Sequence, residues 1–512
     1  MTVRTIYPKN QATGTGNDTD TLMAAVAACN PNGGDVILMK AVAQGTSTPT
    51  PWALYKPHGN AEDITIYLPN NKSYQWYRDW EIRDLHLKTQ AVGIDRGVTF
   101  RGEVDGDGKA ATVLRQYATQ EAFHAARAEE EGSEGFRTCV FIPQKNVHPR
   151  FENLKIQWCP FMMLSNMPFD VVNCAFDGMA EALDPLLDDR YVFPHLLSDP
   201  GNFSDMQGTL IKDCTFEDCQ WMMFCEGSGI TVEGCELLSS IEGQMGIVMC
   251  GEKDVFNIFS EGSIPVGVVQ TKYCKNNVAR NNVMDFDGRG NDYACAITMS
   301  SGGASEGVCE DNEIYGNEIS NKPGFGIEYY AYFFGITRRN SGYGNTFNKT
   351  QCPLSNSGWY DESGVLWAPS DNMFTDNIII DVAHAPTGPF WTGMTSSGKS
   401  PGAWLFDTRN CQFVKNDWTL SQLPPLSNTV GTYESGIAMD RCQSCVIAES
   451  GKWPTGQGGT INFVSDVEGY KNRIVGGKAS TAERPAGIGQ YITSTMKQAK
   501  AVIHAKKHGG KK

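Results

Sequence analysis

One four-residue pattern recurs along the chain and limits what it can fold into: Cys or Asn stands two residues ahead of Phe, Leu, Ile or Met. It is read in "NCAF" (173–176), "DCTF" (213–216), "GCEL" (234–237), "DNEI" (311–314), "GNTF" (344–347), "DNMF" (371–374), "NCQF" (410–413) and "KNRI" (471–474). Looser copies are "FNIF" (256–259), "NNVM" (281–284) and "SCVI" (444–447). The marker residues fall at 174, 214, 235, 257, 282, 312, 345, 372, 411, 445 and 472, and several neighbouring intervals are 21, 22, 25, 27 and 27 residues. Self-similarity at such a period identifies stacked units, each of which buries its apolar face only against the next.

Helical repeats need amphipathic runs of ten or more residues, and these segments are too short and too rich in Gly and Asn. The Leu-x-x-Leu-x-Leu frame of leucine-rich repeats is absent. A parallel β-helix remains, with short strands separated by turns and coils about 4.8 Å apart. Asn then has two uses: it tolerates the left-handed backbone of a sharp turn, and its amide bonds to its counterpart on the next coil. Cys is small and readily buried, so it can take the same slot. The apolar residue two places on shares the side-chain direction and stacks in the core.

The 512 residues are too many for one ordinary core, which agrees with an elongated array. A net charge of −15 argues against a nucleic-acid partner, which requires a basic surface. No apolar run is long enough for a membrane span. The opening "MTVRTIYPKNQATGTG" has no apolar h-region, so no secretory signal is visible, and stacked free thiols favour a reducing compartment during folding.

The segment "NDTDTLMAAVAACNPNGGDVILM" (17–39) and the stretch "RGVTFRGEVDGDGKAATVLRQ" (96–116) resemble the opening of the right-handed parallel β-helix superfamily, which includes pectate lyases, polygalacturonases and phage tailspikes. Together with the repeat, the resemblance covers most of the chain. It implies an all-β solenoid: an N-terminal cap over 1–40, with Asp18 or Thr19 capping a helix whose Leu22, Ala25 and Val26 face the first coil, and coils over 41–477. In the basic tail over 478–512, Ile488, Ile492, Met496, Ala499 and Ile503 follow helical spacing, so a helix there would cap the last coil or, alternatively, mediate oligomerisation or touch an anionic surface. Lateral insertions are expected at 118–136, 179–205, 325–343 and 384–404. The polygalacturonase words Asn-Thr-Asp, Gly-His-Gly and Arg-Ile-Lys are missing from the coils, as are pectate-lyase and pectin-methylesterase signatures.

The resemblance implies a carbohydrate-active protein, and glycoside hydrolysis usually employs two carboxylates. "AWLFDTRN" (403–410) and "GIAMDRCQ" (436–443) each end a strand with Asp, so Asp407 and Asp440 on adjacent coils would lie about one coil spacing apart. Proximity would split their pKa values into an acid and a nucleophile; the bland alternative is that each caps a turn and pairs with Arg409 or Arg441. Glu328, alone among apolar and aromatic residues in "GIEYYAYF", is a third candidate, as a desolvated general acid. Tyr330, Trp367 and Trp391 are candidates for stacking on sugar rings, and Arg338 and Arg409 for binding their polar groups. The aromatic residues of the insertions, Tyr329 among them, alternatively close small satellite cores.

A polysaccharide lyase would instead need a base such as Lys272, Tyr330 or Arg338, and Ca2+ for the uronate carboxylate. "DFDGRGND" (285–292) lacks the complete spacing of a calcium loop, and "CQSC" (442–445) lacks a second pair, so no metal site is assigned. The reading is a glycoside hydrolase acting on a polysaccharide or oligosaccharide, with a lyase or a non-catalytic glycan-recognition protein of tailspike type as alternatives, monomeric or homotrimeric.

Overall fold

The computed structural model describes residues 1–9, 18–54, 66–67, 73–78, 92–123, 125, 139–143, 147–159, 161–163, 168–178, 195–196, 208–219, 221–225, 227–238, 245–260, 266–271, 273–288, 295–302, 307–331, 335–360, 366–367, 369–380, 403–418, 437–440, 442–448, 460–465, 472–474 and 478–481. The chain forms two compact units, Met1–Glu242 with Asp254–Gln270, and Gly243–Lys253 with Thr271–Lys512.

In the first unit seven strands, Val3–Ile6, Val36–Met39, Thr99–Arg101, Arg150–Glu152, Asp170–Val172, Thr209–Lys212 and Ile230–Glu233, pair in parallel in that order. A second parallel sheet runs from Trp52–Ala53 through Thr112–Arg115, Leu154–Gln157, Ala175–Asp177 and Thr215–Glu217 to Glu236–Leu238. Register stacks like on like: Phe100 faces Phe151 at 5.3 Å between ring centroids, and Phe176 faces Phe216 at 4.6 Å. Burying each such ring stabilises by about 2 kcal/mol.

The second unit repeats the coil. Its sheets contain Val278–Arg280, Glu313–Tyr315, Ser341–Tyr343, Met373–Thr375, Gln412–Val414 and Val446–Ala448; Val283–Asp285, Glu318–Ser320, Thr346–Asn348, Ile378–Ile379 and Asp417–Trp418; and Cys295–Gly302, Phe325–Ala331, Cys352–Ser357, Ala403–Phe406, Ile437–Asp440 and Thr460–Ser465, every neighbouring pair parallel. A short fourth face pairs Tyr273–Lys275, Val308–Glu310 and Ile336–Arg338. The chain is thus a parallel β-helix.

The left-handed residue at each corner is not the marker but the residue before it. Asn173, Asp213 and Gly234 have φ of 51°, 52° and 63° ahead of Cys174, Cys214 and Cys235; Asp311, Arg339 and Asp371 do the same ahead of Asn312, Asn340 and Asn372. That corner turns the following side chain inward, where burial obliges it to find partners.

The markers form two rows rather than one. In the second unit Asn277, Asn312, Asn340 and Asn372 line one corner, with amide-to-amide bonds of 2.8 Å from Asn312 to Asn340 and 3.1 Å from Asn340 to Asn372. Asn282, Asn317, Asn345, Asn377 and Asn416 line the next, with successive bonds of 2.9, 2.9, 2.9 and 2.8 Å. The markers Asn282, Asn312, Asn345 and Asn372 alternate between these rows. Cys174, Cys214 and Cys235 hold the equivalent slot in the first unit, where each thiol donates to a carbonyl of the preceding coil, as the Asn amides do. Asn257 belongs to neither row, because it pairs antiparallel with Tyr77. Cys174, Cys214 and Cys235, like Cys274, Cys295, Cys309, Cys352 and Cys411, are buried free thiols.

The helix Thr19–Ala28 buries Thr19, Leu22, Ala25 and Val26. Asp18 occupies its N-cap without a side-chain cap bond: its carboxylate accepts from the backbone N–H of Lys9 and of Ala53, both at 2.9 Å, tying down two other segments. Residues 325–343 contain no simple lateral insertion, since 325–331, 336–338 and 341–343 are strands of regular coils. Of the other expected insertions, 179–194, 197–205 and 384–402 lie outside the described residues, as do most of 118–136 and all of 482–512.

Tyr329 is accordingly a core residue. It is fully buried and stacks on Phe374 at 4.6 Å, in space left by Gly342, where a Cβ would come within 2.9 Å of both Phe374 Cδ1 and Tyr329 Oη. The Tyr329 hydroxyl has no hydrogen-bond partner. Tyr329→Phe is therefore expected to leave stability unchanged or raise it by about 1 kcal/mol, because it removes an unsatisfied buried group; a fall in the denaturation midpoint would show that the hydroxyl is satisfied in solution.

Candidate functional site

On Phe325–Ala331 the inward positions Ile327, Tyr329 and Ala331 are fully buried, and Glu328 and Tyr330 alternate with them, half-buried and outward. Two residues apart in a strand, they share a face. Glu328 stands in register with Thr298 on one side and Ser355, then Trp404, on the other. Tyr330 stands with Ser300, Ser357 and Phe406. Trp404 and Phe406 are nearly buried, their ring centroids 6.0 Å apart.

Both Glu328 oxygens are engaged. Cys295 Sγ donates to Oε2 at 3.0 Å, while Oε1 accepts from Ser357 Oγ at 2.8 Å and Ser355 Oγ at 3.4 Å. Burial pushes the Glu328 pKa upward, and the three donors offset only part of that. Cys295 and Cys352 are pushed well above the usual thiol value, first by burial and then by the Glu328 charge. Lys322, fully buried with its ammonium 4.5 Å from the Phe286 ring centroid, is brought down to about 7 by burial, against an opposing pull from Cys295. A carboxyl whose protonated form is favoured by burial, beside hydroxyls, is suited to proton donation.

The paired aspartates are not in the same register. Asp440 pairs with Phe406, whereas Asp407 follows the end of its strand, fully buried, with φ 50°. The strand breaks into its corner turn at Asp407 while its neighbour still runs through Asp440, so the two do not occupy equivalent places. Asp440 lies three strands from Glu328, about 14 Å by coil spacing, farther than the roughly 5–9.5 Å of a two-carboxylate pair.

Arg338 is committed elsewhere. With Lys275 and Arg339 it clasps Glu310, at 2.7 Å from each arginine. Burial alone would raise the Glu310 pKa, yet hydrogen bonds and charge from Lys275 and Arg338 hold it at about 2. Arg338 and Arg409 share one parallel bridge row, Arg338–Ser370–Arg409–Gln443, on which Arg409 is exposed. Trp367 pairs antiparallel with Trp359 in a short hairpin, and Trp391 and Lys272 lie outside the described residues.

Asp285 accepts from the Asp287 N–H and from Asn321 Nδ2, both at 2.9 Å, which makes it a turn residue; Asp292 lies outside the described residues. Among the described residues no group of three or more His, Cys, Asp or Glu could hold a metal ion, and no helix is long and apolar enough to cross a membrane. Cys295, Ser355, Ser357 and Lys322 were invisible as site residues in the sequence; the only trace was "CPLSNS", a strand whose polar residues fall on both faces.

No family model and no curated protein matches the sequence. Among solved structures the chain is similar to the tailspike protein of E. coli bacteriophage HK620 in complex with pentasaccharide, at 11% identity and TM-score 0.48 over 92% of this chain and 76% of that one. It is also similar to a hyperthermoactive exopolygalacturonase from Thermotoga maritima (12% identity, TM-score 0.37, 74% of this chain and 87% of that one). A third is the A-module of mannuronan C-5 epimerase AlgE6 from Azotobacter vinelandii (10% identity, TM-score 0.39, 92% and 96%).

Proposed function

We propose that this protein is a carbohydrate-active enzyme that cleaves glycosidic bonds of a polysaccharide or oligosaccharide along the outward face of the sheet containing Phe325–Ala331, with Glu328 as the general acid. The observation that carries this reading is the desolvated Glu328 carboxyl, outward-facing and flanked by Thr298, Ser355, Ser357 and Tyr330. Burial favours its protonated form, which can deliver a proton to the departing glycosidic oxygen. The neighbouring hydroxyls supply donors and acceptors of the kind that orient sugar hydroxyls.

Hydrolysis with Glu328 as the acid is the favoured chemistry, although Asp407 and Asp440 do not form its carboxylate pair, and elimination is the second reading. Tyr330, beside Glu328 on one face, favours elimination, because a phenol can act as the base that removes a sugar C–H proton. Incubation with neutral and uronic polysaccharides separates the two: new reducing ends without unsaturation mean hydrolysis, and unsaturated products with calcium dependence mean elimination. Under either, Glu328→Gln is expected to lower turnover about 100-fold or more while the melting temperature holds. An unchanged rate in that variant would remove Glu328 from the chemistry; binding without products from any polymer would leave a recognition protein.

A further inference from the structure

We propose that Cys295 is a positioning residue for Glu328: its thiol holds one carboxyl oxygen from the strand on one side while Ser355 and Ser357 hold the other from the opposite side. The proposal rests on the reading of Glu328 as the proton donor. The grip spans three consecutive strands of the sheet, with Sγ–Oε2 at 3.0 Å and Oγ–Oε1 at 2.8 and 3.4 Å.

The choice of sulfur has a chemical consequence. A thiol is a weak donor and a hydroxyl a strong one, and donation to an ionised carboxylate favours ionisation. Serine at position 295 would therefore stabilise the carboxylate more than cysteine does, and alanine less. Cysteine fixes the side chain while giving the ionised form little support. Its own thiol stays neutral, because burial and the adjacent Glu328 charge both oppose ionisation.

Among the described residues, few titratable groups lie near this carboxyl. Cys295 comes from Cys295–Gly302 and Cys352 from Cys352–Ser357; Lys322 acts on Cys295 through its charge, and Tyr330 lies two residues along the Glu328 strand. Neither Cys295 nor Cys352 carries charge in the neutral range, so changing the donor at 295 changes hydrogen bonding rather than local charge.

An infrared titration of the full-length protein tests this directly. The spectrum of wild type minus that of Glu328→Gln isolates the protonated carboxyl of Glu328, and its midpoint is followed in wild type, Cys295→Ser and Cys295→Ala. The midpoint is expected to fall in the Ser variant and rise in the Ala variant, each by about one pH unit, and to recur as a displaced limb of the pH–rate profile. Equal midpoints in all three would overturn the proposal, and the near-isosteric Ser variant alone decides it should Ala not fold. The expected order in a protein that turns over no glycan would uphold the positioning role and sink the catalytic reading of Glu328.

Discussion

Asn345→Ala is expected to destabilise the protein by about 3–5 kcal/mol, far more than an ordinary polar-to-alanine change. Asn345 is fully buried, and its Oδ1 accepts from Asn317 N at 3.0 Å and Asn317 Nδ2 at 2.9 Å. Its Nδ2 donates to Asn377 Oδ1 at 2.9 Å and to Ile314 O at 3.0 Å. Truncation removes all four bonds; Asn377 Oδ1 keeps the Asn345 backbone N–H, but the Asn317 backbone N–H, one Asn317 amide hydrogen and the Ile314 carbonyl lose these partners, in a place where each orphan costs about 1–3 kcal/mol. Asn348→Ala, at an exposed position of the same coil, should stay within about 0.5 kcal/mol. Equilibrium denaturation of the two variants makes the comparison, and equal midpoints would mean that the ladder is bystander chemistry. Asn345→Cys should recover part of the loss, since thiols fill this slot in the first unit.

Lys322→Met is expected to raise stability at neutral pH and to abolish a slope between pH 7 and 10. The native pKa is about 7, lowered chiefly by burial, while an unfolded lysine titrates near ~10.4. Between those values the unfolded chain binds a proton that the native state does not, so wild-type stability rises with pH across the window. Below about pH 7 both states are protonated and the penalty is constant at its maximum. A displacement of this size corresponds to several kcal/mol, at about 1.4 kcal/mol per unit. Methionine keeps the apolar stem over Phe286 and removes the charge. Parallel pH dependences for wild type and variant, from denaturation midpoints at pH 7 and 9.5, would show that Lys322 retains its ordinary pKa.

Glu328 and Tyr330 were legible because a carboxylate inside an apolar alternation has to be explained, and the period of two places Tyr330 on its face. Asp407 and Asp440 misled because each ends a similar word, although one residue separates a strand end from a corner. Residues 325–343 look like a lateral insertion because they lengthen the interval between Asn312 and Asn345, yet they hold strands of regular coils, and Tyr329 fills the space left by Gly342. Cys295 and Ser357 could not be read at all: they lie 33 and 29 residues from Glu328, and only stacking brings them to its carboxyl.

By itself, the sequence determined that the chain is a solenoid of short parallel strands, because a recurring Asn or Cys followed by a large apolar residue encodes a corner and a core position in most of its copies, Asn257 excepted. Tertiary structure alone decided how coils align: which of two corners each marker lines, that the left-handed residue precedes it, and which polar groups meet around Glu328. The reason is geometric. Local preference acts within a few residues, whereas register joins residues about thirty apart, and a slip of one residue moves a side chain to the other face of its strand.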